Sequence, residues 1–169
     1  MALIQMRAPE GRPWKLKEWV QGKPLGVPTH SMVVHFPVAF YLGVIVFDVM
    51  SRITPNEGLV LASTYMLLLG LLGTLVAAPL GLIDWLGMVK GSSKRRLATR
   101  HMVFQLLAAA FFIVAFVLRW PDRTASQAEI SWIVIEAVGY LVLIVGQHLG
   151  GTLVYQKAMR VSTGGPDRE

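Results

Sequence analysis

Cysteine is absent from this 169-residue chain, which excludes disulfides, thiolate metal sites and cysteine-held iron–sulfur clusters. Any metal it binds must be held by histidine, carboxylate or backbone oxygen. Charge is scarce as well: Asp, Glu, Lys and Arg supply 15% of residues against 54% hydrophobic, a balance too apolar for an ordinary soluble domain. The apolar runs show no strand-like alternation, and the chain has no nucleophile elbow, phosphate-binding glycine loop or zinc-protease motif. What remains to be read is a set of long hydrophobic runs and the few polar groups inside them.

Four runs are long enough to cross a hydrocarbon core of about 30 Å, which takes roughly 20 helical residues: Ser31 to Met50, Leu59 to Leu82, Met102 to Leu118 and Ile130 to Tyr155. Backbone polar groups must be satisfied internally in lipid, so the expected fold is all-α, a four-helix transmembrane bundle running up-down-up-down. Residues 1–29 form a basic N-terminal arm, 30–156 the four-span domain and 157–169 a tail. Thirteen Lys and Arg fall on the side of the arm, the loop between the second and third spans and the tail, and three (Arg52, Arg119, Arg123) on the other. This bias puts both termini in the cytoplasm of a multi-pass protein of the bacterial inner membrane. The net charge of +6 is then a topological signature and no nucleic-acid partner is needed.

The stretch Trp14 to Val20 reads as a short interfacial helix or as an irregular arm docked on a partner. Trp120 and Trp132 flank the outer boundary, Trp85 and Tyr155 the inner one. His30-Ser31-Met32-Val33-Val34 opens the first helical hairpin and His101-Met102-Val103-Phe104 the second, a pattern that suggests two hairpins related by an axis along the membrane normal.

The four histidines, His30, His35, His101 and His148, all fall at or inside the same end of a span. Ionisable side chains in a bilayer are costly and usually functional. At ~1.5 Å per residue, His35 and His148 lie roughly 10 Å inside the interface, while His30 and His101 lie at it. Depth therefore suggests two pairs, His35 with His148 and His30 with His101, as ligands of haem iron or another metal. His30 and His35 are five apart, about 140° around a helix, and do not face one iron together. Pro37 and Pro79 are expected to kink the inner halves of their spans. Gly146, Gly150 and Gly151 leave room for a flat ring, and Arg95, Arg96 and Arg100 suit haem propionates. The same residues also allow a structural reading: helix packing for the glycines, topology for the arginines and hydrogen bonding for the imidazoles.

Three carboxylates fall within or beside the spans. Asp84 lies toward the inner side, where it is placed to orient an imidazole from its second nitrogen. Asp48 and Glu136 lie toward the outer side, either as a proton relay or as hydrogen-bonding groups that fix helix contacts.

The segments Thr29-His30-Ser31-Met32-Val33-Val34-His35-Phe36-Pro37-Val38-Ala39 with Asp48, Gly81-Leu82-Ile83-Asp84-Trp85, Arg100-His101-Met102 and His148-Leu149-Gly150-Gly151-Thr152-Leu153-Val154-Tyr155 carry a resemblance. Over residues 28 to 160 the chain resembles the bacterial four-span proteins grouped as domain of unknown function 2231. That family often has proline directly after the first histidine, where this chain has Ser31. Similar modules occur joined to Rieske or cytochrome c domains, so the resemblance implies an electron-transfer context.

The resulting expectation is a redox subunit resembling a b-type cytochrome, with one or two haem b groups or another metal, exchanging electrons with quinone or a partner subunit. Two alternatives stand beside it: a non-catalytic accessory subunit of a larger respiratory or photosynthetic complex, and a metal-ion permease or sensor. A stand-alone enzyme is the less favoured reading.

Overall fold

The computed structural model describes residues 8–159, and all regular structure among them is helical. Short helix α1 (Leu16–Val20) and a 3-10 turn (Lys23–Leu25) precede α2 (Thr29–Val33), α3 (His35–Ile53), α4 (Glu57–Leu86), α5 (Ser93–Arg119) and α6 (Ile130–Tyr155). Four spans result, with α2 and α3 together forming the first, Thr29–Ile53. The first span breaks at Val34 because Pro37 has no N–H to give the Val33 carbonyl. Pro79, by contrast, sits inside an unbroken α4. Asn56 caps α4 through the Gly58 N–H at 2.8 Å, and Ser92 caps α5 through the Arg95 N–H at 3.1 Å.

Burial is inverted relative to a soluble protein. Leu75, Val117 and Leu141 are more than 60% exposed, whereas Asp48, Arg119 and Glu136 are 0% exposed. That inversion matches a bundle whose solvent is lipid. Arm, 87–92 loop and the end of α6 share one end of the bundle, where Arg12, Lys94 and Met159 line one cavity; we call it the basic end. The 54–56 and 120–129 connections share the far end, where the Asn56 N–H donates to the Ser126 carbonyl at 2.7 Å.

The arm folds onto its own bundle. Gln21 donates its side-chain amide to Asp84 at 2.9 Å, and the Thr29 hydroxyl donates to the Val20 carbonyl at 2.5 Å. Gly22 makes the intervening turn at φ +73, where a Cβ would lie 2.1 Å from the Val27 carbonyl oxygen. Arg12 clamps Glu18 through two bonds of 2.8 Å. Trp19 stays 45% exposed and Leu16 80%, as an interfacial segment requires. Arg7, Arg160 and Arg168, counted in the charge asymmetry, lie outside the described residues.

The two hairpins, α3–α4 and α5–α6, are related by a pseudo-two-fold axis along the bundle. Residues 71 positions apart meet each other: His30 faces His101, Tyr41 stacks on Phe112, and Asp48 pairs with Arg119. A residue touches its own repeat mate only beside the axis that relates the halves. The partner helices follow with a spacing of 69: Ala77, Gly81 and Gly70 in α4 do what Gly146, Gly150 and Gly139 do in α6. Between the polar ends lies a buried apolar layer of Tyr41, Val44, Leu67, Ala108, Phe112, Ala115 and Leu143.

Candidate functional site

At the basic end the axis passes between two imidazoles. His30 and His101 approach edge to face, with ring centroids 6.4 Å apart and planes at 78°. His30 Nδ1 contacts the Ala77 carbonyl at 3.0 Å, and His101 Nδ1 contacts the Gly146 carbonyl at 2.7 Å. A carbonyl only accepts, so each Nδ1 is the N–H donor, and the neutral form of each ring carries its lone pair on Nε2. Histidines that bind metals are fixed in the same manner, by donating the non-ligating nitrogen to a carbonyl or carboxylate. Each ring also sits on a glycine one turn further along: a Cβ on Gly81 would lie 2.8 Å from His30, and one on Gly150 would lie 3.0 Å from His101.

The expected pairs are thus realised unequally. His30 and His101 come together. His35 and His148 are exposed on the outside of the bundle, His35 bonded to the Met32 carbonyl of its own segment at 3.2 Å. The reason is helix phase: with His30 turned to the axis, a residue five positions on points away. Among the described residues no group of three or more histidines and carboxylates gathers to hold a metal. Asp84, expected to orient an imidazole, accepts from Gln21 at 2.9 Å, while His30 Nδ1 is bonded to the Ala77 carbonyl.

The arginines expected to bind propionates shape the loop. Arg95 donates to the Met88 carbonyl at 3.0 Å and lies 3.9 Å over the Trp85 ring, which itself donates to Thr99 at 2.9 Å. Arg96 donates to the Gly91 carbonyl, and Arg100 is exposed.

At the far end lies a cluster whose cation was not foreseen. Arg119 was counted as an outer-loop charge closing the third span; instead it is wholly buried. It grips Asp48 with both terminal nitrogens, at 3.0 and 2.8 Å, and Glu136 with one, at 2.8 Å. The Ser63 hydroxyl from α4 bridges Arg119 and Asp48. Asp48 and Glu136 therefore do fix helix contacts, but through an ion cluster joining all four spans. An isolated charge at bilayer depth costs about 2.5–3.5 kcal/mol or more, which explains why the three occur together. Val60, Ala128 and Trp132 close the far side, the last with its ring 5.3 Å from the guanidinium carbon. Two carboxylates facing inward signal that a cation must lie nearby, and the 71-residue repeat sets Arg119 opposite Asp48.

Comparison with curated proteins and with solved structures returned no match. The four apolar helices and the buried polar axis are those of a multi-pass membrane protein. A family model described as Predicted membrane protein (DUF2231) matches residues 26–163, which takes in both histidine-bearing hairpins, and the chain belongs to that family.

Proposed function

We propose that this membrane protein is an electron-transfer subunit whose redox centre is a transition-metal ion held between His30 and His101. The observation that carries the reading is the pair itself: two imidazoles 6.4 Å apart, each with Nδ1 spent on a carbonyl. Nitrogen ligands sit about 2.0–2.1 Å from such ions. Adding the ring radius puts the centroids of two imidazoles sharing one ion roughly 5–6 Å apart, close to the 6.4 Å between His30 and His101. Copper and iron suit imidazole and supply one-electron chemistry. Water or a partner subunit completes the coordination, because the described residues bring no third histidine or carboxylate to the pair.

Haem b is the second occupant to weigh. The clearance at Gly81 and Gly150 is filled by the imidazoles themselves, and Arg95 and Arg96 are engaged in the loop. A compact ion fits this arrangement better than the edge of a porphyrin. With the basic end in the cytoplasm of a bacterial inner membrane, electrons would pass to a partner subunit or quinone at that face.

Elemental analysis and a reduced-minus-oxidised spectrum of the detergent-purified protein test the reading. It predicts one copper or iron per chain, lost in His30→Ala and His101→Ala and retained in His148→Ala. A haem spectrum lost in the same two variants would replace the compact ion by haem at the same pair. Neither metal nor haem, with fixed-stoichiometry co-purification in a larger complex, would replace the proposal by an accessory role.

A further inference from the structure

The Asp48–Arg119–Glu136 cluster plays no part in the metal reading, and its charges do not balance. Two carboxylates face one guanidinium, all three 0% exposed, which leaves one negative charge over if every group is ionised. We propose that the cluster is a proton-binding site that holds a single exchangeable proton on Glu136.

Geometry decides which carboxylate takes it. Asp48 has both oxygens in the arginine fork, and its Oδ1 also receives the Ser63 hydroxyl. Glu136 has one bond, from Arg119 to Oε1, while Oε2 is buried with no hydrogen-bond partner. A carboxylate with complete bidentate pairing is the better anion. One with a bare, buried oxygen holds a proton more firmly, because an unpaired buried charge is costly. Both carboxyl groups also take bonds of 2.8 Å from the same guanidinium, which holds them close together. One proton on Glu136 relieves the repulsion between them, as in other carboxyl pairs that cannot both ionise.

Around Glu136, α3 presents Asp48, α5 presents Arg119, α4 presents the Ser63 hydroxyl, and α6 itself adds the Trp132 ring. Ala128, whose N–H donates to the Ser51 hydroxyl at 3.0 Å, covers the cluster from the far-end connection. Exchange with the far-end medium needs that cover to lift and no passage through the Tyr41–Phe112 layer. The ligand is thus a proton taken from the side opposite the basic end.

Infrared spectroscopy of the purified full-length protein at neutral pH reads the proton directly. The wild type is expected to show a protonated-carboxyl C=O band that shifts in deuterium oxide. Glu136→Gln, which mimics the neutral acid and keeps the bond from Arg119, should lose it while melting near the wild-type temperature. Asp48→Asn should also lose it, since Arg119 is then free to neutralise an ionised Glu136. If either variant fails to fold, wild-type protein with carbon-13-labelled glutamate serves instead, and the band must move with that label. Absence of a protonated-carboxyl band from wild type, its survival in folded Glu136→Gln, or its insensitivity to labelled glutamate would each overturn the proposal. None of these readouts depends on metal at His30 and His101.

Discussion

Tyr41 lies flat on Phe112, the ring centroids 3.7 Å apart and the planes within 2° of parallel. The two residues hold equivalent places in the two hairpins, and each packs against a glycine of its partner helix, Gly70 and Gly139. Their contact divides the bundle axis into an imidazole pair at one end and an ion cluster at the other. The Tyr41 hydroxyl is satisfied by Thr74 at 2.8 Å, so this layer carries no unpaired polar group into the core.

The glycine seats give the first prediction. A Cβ at Gly70 would come 2.5 Å from the Tyr41 ring and one at Gly139 would come 2.8 Å from Phe111 Cβ, whereas one at Gly151 meets nothing within 4 Å. Overpacking of this kind costs about 1–3 kcal/mol. Thermal melts in detergent should therefore show Gly70→Ala and Gly139→Ala destabilised and Gly151→Ala unchanged; equal melting temperatures for all three would contradict the packing described.

A second prediction concerns Arg119. Arg119→Leu strands two buried carboxylates and should cost about 3–5 kcal/mol, the usual penalty for breaking a buried pair. Replacing the surface cation Arg123, which stacks 4.7 Å over Trp120, should cost less than about 1 kcal/mol. Melting curves of the two variants decide: Arg119→Leu with wild-type stability would mean that the cluster does not hold the spans together.

Much of this was legible in the chain. The apolar runs gave the four spans because lipid leaves no other use for them, and the His30 and His101 segments showed the repeat. Which histidines face inward was not legible, since depth is set by position in the run while facing is set by helix phase. His30 and His35 could not both point at the axis, and only packing on Gly81 and Ala77 decided between them. Arg119 was obscured by its place beside Trp120 and Pro121, where an arginine ordinarily marks the end of a span. The break at Val34 came from Pro37 as expected, while Pro79 left α4 continuous.

The arm supplies a pH-dependent prediction. Hydrogen bonds from Arg12, then from the Lys15 N–H, hold the Glu18 carboxyl well below the usual carboxylate range, and the same clamp raises Arg12. A lowered folded-state value means that this pair contributes fully above the unfolded value of about 4.3. Its contribution is lost as the pH falls from there toward the folded value. Trp14 and Trp19 fluorescence should report release of the arm in acid, and Glu18→Gln should release it at neutral pH. A Glu18→Gln profile that overlays the wild type would remove the clamp as the anchor.

Orientation can be read by labelling, since the native chain has no cysteine. Ser93 at the basic end and Thr124 at the far end are both exposed. With Lys and Arg retained in the cytoplasm, a membrane-impermeant maleimide added to intact cells should label Thr124→Cys and spare Ser93→Cys. The reverse pattern would invert the bundle and move the imidazole pair to the outer face.

The central claim, that His30 and His101 form a ligand pair, is tested most directly by titrating metal-stripped protein with copper and zinc in a calorimeter. Wild type, His35→Ala and His148→Ala should bind one ion per chain with similar affinity. His30→Ala and His101→Ala should each lose at least tenfold, about 1.4 kcal/mol. Loss confined to the His35 and His148 variants, or no binding by the wild type, would contradict the account.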